Sequence, residues 1–171
     1  METFAIPGVG GIIEKVVDGV TYILIQDRCK ADCPLERGLI EIPAGKIQAF
    51  ENIYNCLRRE VREETGLEIT MIEGEGDTLV YEGNGYKVLN YTPFCSIQNI
   101  EGTYPIMVQI FICRAAGELL DKSDEARNMR WVSLEELEEL LDKKEKHFYP
   151  MHVITLRKYL KIKSTNADIP A

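Results

Sequence analysis

Apolar and polar positions alternate with a period of two over much of this chain and switch to a helical spacing in three places. A strand enters through Gly8-Val9-Gly10-Gly11 and runs to Val17. Asp18-Gly19 marks a hairpin turn, and Val20 to Ile25 returns, ending at Gln26-Asp27-Arg28. Cys29 to Arg37 is polar and holds Pro34, so it reads as a loop, followed by a short strand from Gly38 to Ile42. Further strands are expected over Leu67–Ile72, Thr78–Glu82 and Tyr86–Tyr91, punctuated by Gly74–Gly76 and Gly83-Asn84-Gly85. Ile106 to Arg114 is apolar enough to lie centrally in a sheet, and Asn128 to Val132 adds a short strand. Ser133, with Glu136 in capping-box position, opens a helix to Leu141, and a last amphipathic helix spans Tyr149 to Ile162 with Pro150 in its first turn. Strands interrupted by one helix and followed by two more predict an α/β fold, a mixed β-sheet sandwiched between helices in three layers (α/β/α).

The interrupting helix is the most informative stretch. Pro43-Ala44-Gly45 is expected to form a sharp turn with the glycine left-handed, followed by about five helical turns that stop at Thr65-Gly66. At roughly 100° per residue, with Glu60 as zero, Glu64 lies near +40° and Glu63 near −60°. Ile53 and Leu57 fall near +20° and +60°, while Arg58 and Arg62 lie on the opposite, solvated side at roughly 160–200°. Glu60 and Glu64 therefore continue the apolar stripe, where an unpaired carboxylate is costly. Glutamates at a helix C-terminus also oppose the macrodipole. An i,i+4 pairing such as Arg59–Glu63 would suit an ordinary surface helix but leaves Glu60 and Glu64 unexplained. A divalent cation held by carboxylate oxygens accounts for them, and oxygen ligands suit Mg²⁺ or Mn²⁺ rather than zinc.

Gly45, five residues, Glu51, seven residues, then Arg59-Glu60-Val61-Arg62-Glu63-Glu64-Thr65-Gly66-Leu67 resembles a complete Nudix box. The wider resemblance covers roughly residues 5 to 145 and implies the same α/β/α layout. It also implies that Glu60 and Glu64 bind metal, with Glu63 close by through metal or water and the Ala44 carbonyl joining them. Arg59 then orients Glu51 or Glu63, and an acidic residue before Trp131 (Asp124 or Glu125, with Glu125 six residues away) serves as ligand or general base. Arg28 and Glu41 flank the cleft in such a fold as candidate substrate contacts. The implied chemistry is hydrolysis of a diphosphate by an activated water. The run Glu41-Ile42-Pro43-Ala44-Gly45 is similar to the entry of many ADP-ribose and nucleotide-sugar pyrophosphatases, which sets the expected substrate. That subgroup often has a proline about fifteen residues beyond the box; here Tyr81 stands near that place. Tyr81 and Tyr86 are candidates to stack a base, or simply packing residues of a strand. Nucleoside triphosphates or dinucleoside polyphosphates are the alternative substrates, and a non-catalytic nucleotide-binding sensor is the alternative of another class; a sensor is expected to lose box carboxylates, and none is lost here. A homodimer is among the assemblies the resemblance admits.

Composition narrows the picture further. At 171 residues, 45% apolar and 28% charged, the chain reads as one domain over 1–163 with a flexible tail over 164–171. No 18-residue apolar run or export signal argues for a membrane. Five cysteines, an odd number, suggest reduced thiols and a cytoplasmic location. Cys29 and Cys33 lack a second pair or nearby histidine to complete a zinc site. His147 and His152 read as surface or helix-packing residues. A net charge of −8 argues against a nucleic-acid partner but not against a phosphorylated small molecule, since a bound metal supplies the positive charge.

Overall fold

The computed structural model describes residues 2–31 and 34–167; Cys33 and residues 168–171 of the expected tail lie outside the described residues. In chain order the elements are β1 (Ile6–Val17), β2 (Val20–Arg28), β3 (Ile40–Glu41), β4 (Ala44–Lys46), α1 (Ile53–Thr65), β5 (Glu68–Ile72), β6 (Leu79–Gly83), β7 (Tyr86–Asn90), β8 (Cys95–Gln98), β9 (Ile106–Ala116), β10 (Ala126–Ser133), α2 (Leu134–Lys144) and α3 (Pro150–Ala167). The main sheet runs β10-β2-β1-β9-β5, with β3 joined to β2, β4 to β1 and β8 to β9. The β1–β9 pair is parallel and the other pairs are antiparallel, so the sheet is mixed.

Neighbouring residues of the central strands feed opposite cores, because strand side chains alternate between faces. Ile12, Ile23, Ile25, Ile110 and Ile112 pack with Leu137, Leu141, Leu156 and Tyr159 of α2 and α3. Ile13, Leu24, Phe111 and Cys113 pack with Ile53, Leu57 and Val61 of α1. A sheet covered on both sides needs strands apolar at consecutive positions, and the sequence of β9 has that character. Full burial of a side chain such as Leu57 contributes about 1.5–3 kcal/mol. The three-layer α/β/α expectation holds.

Three local expectations do not. The box helix has 13 residues rather than five turns, because Ala44–Lys46 is extended and pairs with β1, Val9 opposite Gly45. A tight turn closed by the Glu51 N–H on the Gln48 carbonyl follows, with Phe50 at φ 61°, before Asn52 caps α1 by accepting the Tyr54 N–H at 2.9 Å. Gly45 is accordingly not left-handed; the left-handed glycine is Gly66 (φ 80°), which ends α1 by donating to the Arg62 carbonyl. The last helix runs on to Ala167, five residues beyond the expected end at Ile162. The capping box of Ser133 and Glu136 forms as read from the sequence. No helix among the described residues is long and apolar enough to cross a membrane.

Candidate active site

Glu60 and Glu64 in the C-terminal half of α1 meet Gln26 near the end of β2 and Ala44-Gly45 at the start of β4, and this crossing sets the site. Glu64 sits on the apolar stripe at 2% exposure, as the helical angles require, and Glu60 is at 9%. Glu63, one turn-edge away, points outward with its side chain 60% exposed. Of the three glutamates, Glu63 at about −60° thus lies beyond the rim of the groove between α1 and the sheet.

Gly45 explains why β4 approaches so closely. A Cβ there would lie 1.8 Å from Glu60 Cδ, so the carboxylate occupies the space that any other residue would fill. Glycine is needed for contact distance, not for its backbone angle.

Glu64 is held by several groups. Its Oε2 accepts the Gln26 side-chain N–H at 2.7 Å and the Ala44 N–H at 3.2 Å. Among the described residues its Oε1 accepts no hydrogen bond, and it faces the Lys30 ammonium at 3.3 Å. Lys30 also donates to the Ala44 carbonyl at 3.4 Å and pairs with Glu125. Glu125 is brought there by the end of the β2–β10 ladder, where its carbonyl accepts the Cys29 N–H at 2.7 Å. Gln26 reaches Glu41 as well, at 3.4 Å, and Glu41 accepts Arg28 at 2.9 Å. Arg28 pairs in addition with Glu36 and lies 4.6 Å over the Tyr149 ring.

Arg59 forms the second node. It grips Glu51 through two bonds of 2.8 and 2.9 Å, Glu60 at 2.6 Å, Glu63 at 3.2 Å and the Lys46 carbonyl at 3.3 Å. The guanidinium fork therefore ties α1 to the turn after β4.

Burial raises the carboxyl of Glu64 well above the ordinary range; Lys30 opposes the shift and Glu41 adds to it. Glu41 and Glu60 are also raised by burial, against Arg28 and Arg59 respectively. Burial lowers Lys30 in turn, yet Glu64 and Glu125 outweigh it and hold the ammonium above its usual value. Carboxylates that resist ionising gain from a nearby cation.

Arg28, Glu41, Ala44, Arg59, Glu60 and Glu125 line one cleft of about 300 Å³. Its lining also includes the apolar and aromatic residues Ile106, Val108, Tyr104, Tyr149 and Met151. Tyr81 and Tyr86 are not in it: both stand exposed on the β6–β7 hairpin. Sequence reasoning passed over Lys30, Gln26 and the aromatic lining. Gln26 carried a signal, since it shares strand parity with Leu24 and so faces α1; Lys30 lies in a loop and carried none. His152 is fully buried, its Nδ1 accepting the Ile42 N–H at 3.2 Å, and it braces the strand end that leads into Ala44.

The donor chemistry suits a hard divalent cation: the carboxylates of Glu60 and Glu64, the Ala44 carbonyl, and Glu125 or Glu63 at the margin. Among the described residues no three His, Cys, Asp or Glu side chains already converge as a metal cluster. Glu64 Oε1 nevertheless lies buried with no hydrogen-bond partner among the described residues, 3.3 Å from the ammonium that also meets the Ala44 carbonyl and Glu125.

A family model of the NUDIX domain matches residues 7–152. The chain belongs to the Nudix family. Over 100 residues this Nudix domain is 28% identical to the NAD-capped RNA hydrolase NudC of Pseudomonas aeruginosa, covering 58% of this chain. That match takes in 29% of NudC, so the chain spans less than a third of the length of this curated relative. A C. elegans Ap4A hydrolase binary complex superposes with a TM-score of 0.53 at 17% identity, covering 94% of this chain and 99% of that one. The NUDIX domain of Shewanella oneidensis NrtR complexed with ADP ribose gives 0.59 at 14% identity, over 81% and 79% of the two chains. At these identities both structures attest to the shared fold.

Proposed function

We propose that this Nudix protein is a divalent-metal-dependent pyrophosphohydrolase acting on a nucleoside diphosphate linked to another moiety, with ADP-ribose or a nucleotide sugar as the substrate. The observation that carries the reading is the buried Glu64 carboxylate, one oxygen of which has no hydrogen bond among the described residues and lies 3.3 Å from the Lys30 ammonium that also meets the Ala44 carbonyl. In this reading Glu60, Glu64 and the Ala44 carbonyl hold Mg²⁺ or Mn²⁺, and Glu63 or Glu125 completes the site. Bound there, the metal supplies charge neutralisation for a diphosphate and acidifies a water. Arg59 keeps Glu60 aimed at the cleft by holding it against Glu51. Glu125, at the cleft edge and half exposed, orients or deprotonates the attacking water. Arg28 and Glu41 shape the bottom of the cleft and contact the substrate there.

The Glu41-Ile42-Pro43-Ala44-Gly45 entry supports the ADP-ribose or nucleotide-sugar choice, and so does the aromatic lining, which offers Tyr104 and Tyr149 to a ring. An ADP-ribose complex on the same fold is consistent with it.

The test is a panel of ADP-ribose, nucleotide sugars, dinucleoside polyphosphates and nucleoside triphosphates with Mg²⁺ or Mn²⁺, read as phosphate released after phosphatase coupling. ADP-ribose or a nucleotide sugar should be turned over fastest, and Glu64→Gln should abolish turnover while leaving the fold intact. A preference for triphosphates or dinucleoside polyphosphates would overturn the substrate choice. No turnover of any compound would leave a binding module.

A further inference from the structure

Charge around Glu64 does not balance. Arg28 is shared by Glu36 and Glu41, and Arg59 by Glu51, Glu60 and Glu63, which among the described residues leaves Glu64 and Glu125 facing one ammonium, that of Lys30. The ammonium is held closely by Glu125 but sits loosely against the other two groups. It stands 3.3 Å from Glu64 Oε1 and 3.4 Å from the Ala44 carbonyl, longer than the roughly 2.7–2.9 Å of a strong charge-assisted bond. Two carboxyl groups and a carbonyl converging on one univalent cation form a donor set better matched to a divalent ion. Lys30 reaches it on a flexible four-carbon stem from the loop after β2, and the same residue lines the cleft.

We propose that Lys30 is a tethered competitor for the cation site: its ammonium holds the Ala44 carbonyl, Glu64 and Glu125 together in the metal-free protein, is displaced when a divalent cation arrives, and then faces the diphosphate in the cleft. The proposal rests on the metal-dependent reading above. It gives the buried carboxylates a partner before the metal binds, when an uncompensated charge at Glu64 would be costly. It also couples metal entry to a new positive charge in the cleft.

A structural ion pair and a competitor differ in the sign of one measurement. If Lys30 only braces the site, removing it loosens the donor set and weakens metal binding; if it competes, removing it strengthens binding. Mn²⁺ alone, without nucleotide, is titrated into wild type, Lys30→Met and Lys30→Gln, with bound Mn²⁺ read by electron paramagnetic resonance and melting temperature read in parallel. Glu64→Gln serves as the control for the site. Both neutral variants should bind Mn²⁺ about fivefold more tightly or better, with a larger Mn²⁺-induced rise in melting temperature than wild type. Lys30→Arg, which keeps the charge, should stay near wild type. Equal or weaker binding in Lys30→Met and Lys30→Gln, with Mn²⁺ still lost in Glu64→Gln, would overturn the competitor and leave the metal-dependent reading standing. If no form shows Glu64-dependent Mn²⁺ binding, both fail together. Either neutral variant suffices should the other not fold.

Discussion

The Cα of Gly45 and the carboxylate of Glu60 are so close that a single added methyl would lie 1.8 Å from Glu60 Cδ and 2.0 Å from its Oε2. Strand β4 and helix α1 are packed to this distance by β4's pairing with β1 and by the apolar stripe beneath α1. Gly45→Ala keeps an allowed backbone, since Gly45 is extended, but it must push Glu60 aside. The expected result is a folded protein with a native circular dichroism spectrum and about a 10²-fold loss of kcat/KM, the scale of a 1 Å misplacement at a catalytic centre. Wild-type turnover in this variant would mean that Glu60 is free to move without consequence.

Arg59 holds Glu51, Glu60 and Glu63 at once while remaining about a quarter exposed. Glu51 and Glu60 are largely buried and lose their partner, so Arg59→Gln should cost about 1–3 kcal/mol by urea unfolding. Activity should fall as well, by about 10–100-fold, because Glu60, which we propose binds the metal, loses its aligning partner. A stability loss with unchanged kinetics would make Arg59 a brace for the turn after β4 and nothing more.

The helix and strand periods revealed much of this architecture, because burial on both faces of the sheet is written in adjacent pairs such as Ile12-Ile13 and Ile23-Leu24. The inward aim of Glu60 and Glu64 was also legible, since 100° per residue is a local property of one helix. The start of that helix was not: Gln48-Ala49-Phe50-Glu51 has helix-compatible residues, and only pairing of β4 with β1 pulls the preceding chain into a strand. Strand β8 was missed for the same reason, its partner β9 supplying the order. Lys30 joins the site through the β2–β10 ladder and the crossing of α1, contacts far apart in sequence that no local pattern encodes.

Glu125 and Glu63 are the two carboxylates proposed for catalysis, and either could be the base. Glu125 lines the cleft beside Lys30, whereas Glu63 is turned to solvent and tied to Arg59. A group must reach the water to move its proton, so Glu125→Gln should lower kcat by about 10²–10⁴-fold with KM little changed. Glu63→Gln should lower it by less than about tenfold. The reverse ranking would assign the base to the helix, and a KM effect alone in Glu125→Gln would confine that residue to holding Lys30.

His152 offers a pH test that does not depend on turnover. Fully buried, and near the positive charges of Arg28 and Lys30, its imidazole is pushed down to about 3 from the ordinary 6.5, burial being the main cause. The unfolded chain therefore takes up a proton below pH 6.5 that the folded chain refuses until about pH 3. The unfolded state binds more protons across that window, so His152 makes stability fall as the pH drops through it. By pH 5 the loss from this residue should be about 2 kcal/mol, one and a half pH units at 1.36 kcal/mol each. Glu41 and Glu64 act in the opposite sense, since their raised carboxyls are easier to bury once protonated, and they are common to both proteins in the comparison. His152→Gln keeps an acceptor for the Ile42 N–H and removes the titration. Urea unfolding of both proteins at pH 7 and pH 5 should show the wild type losing about 2 kcal/mol more than the variant over that interval. Parallel losses would mean that His152 accepts a proton within the fold and that the strand end before Ala44 yields to admit it.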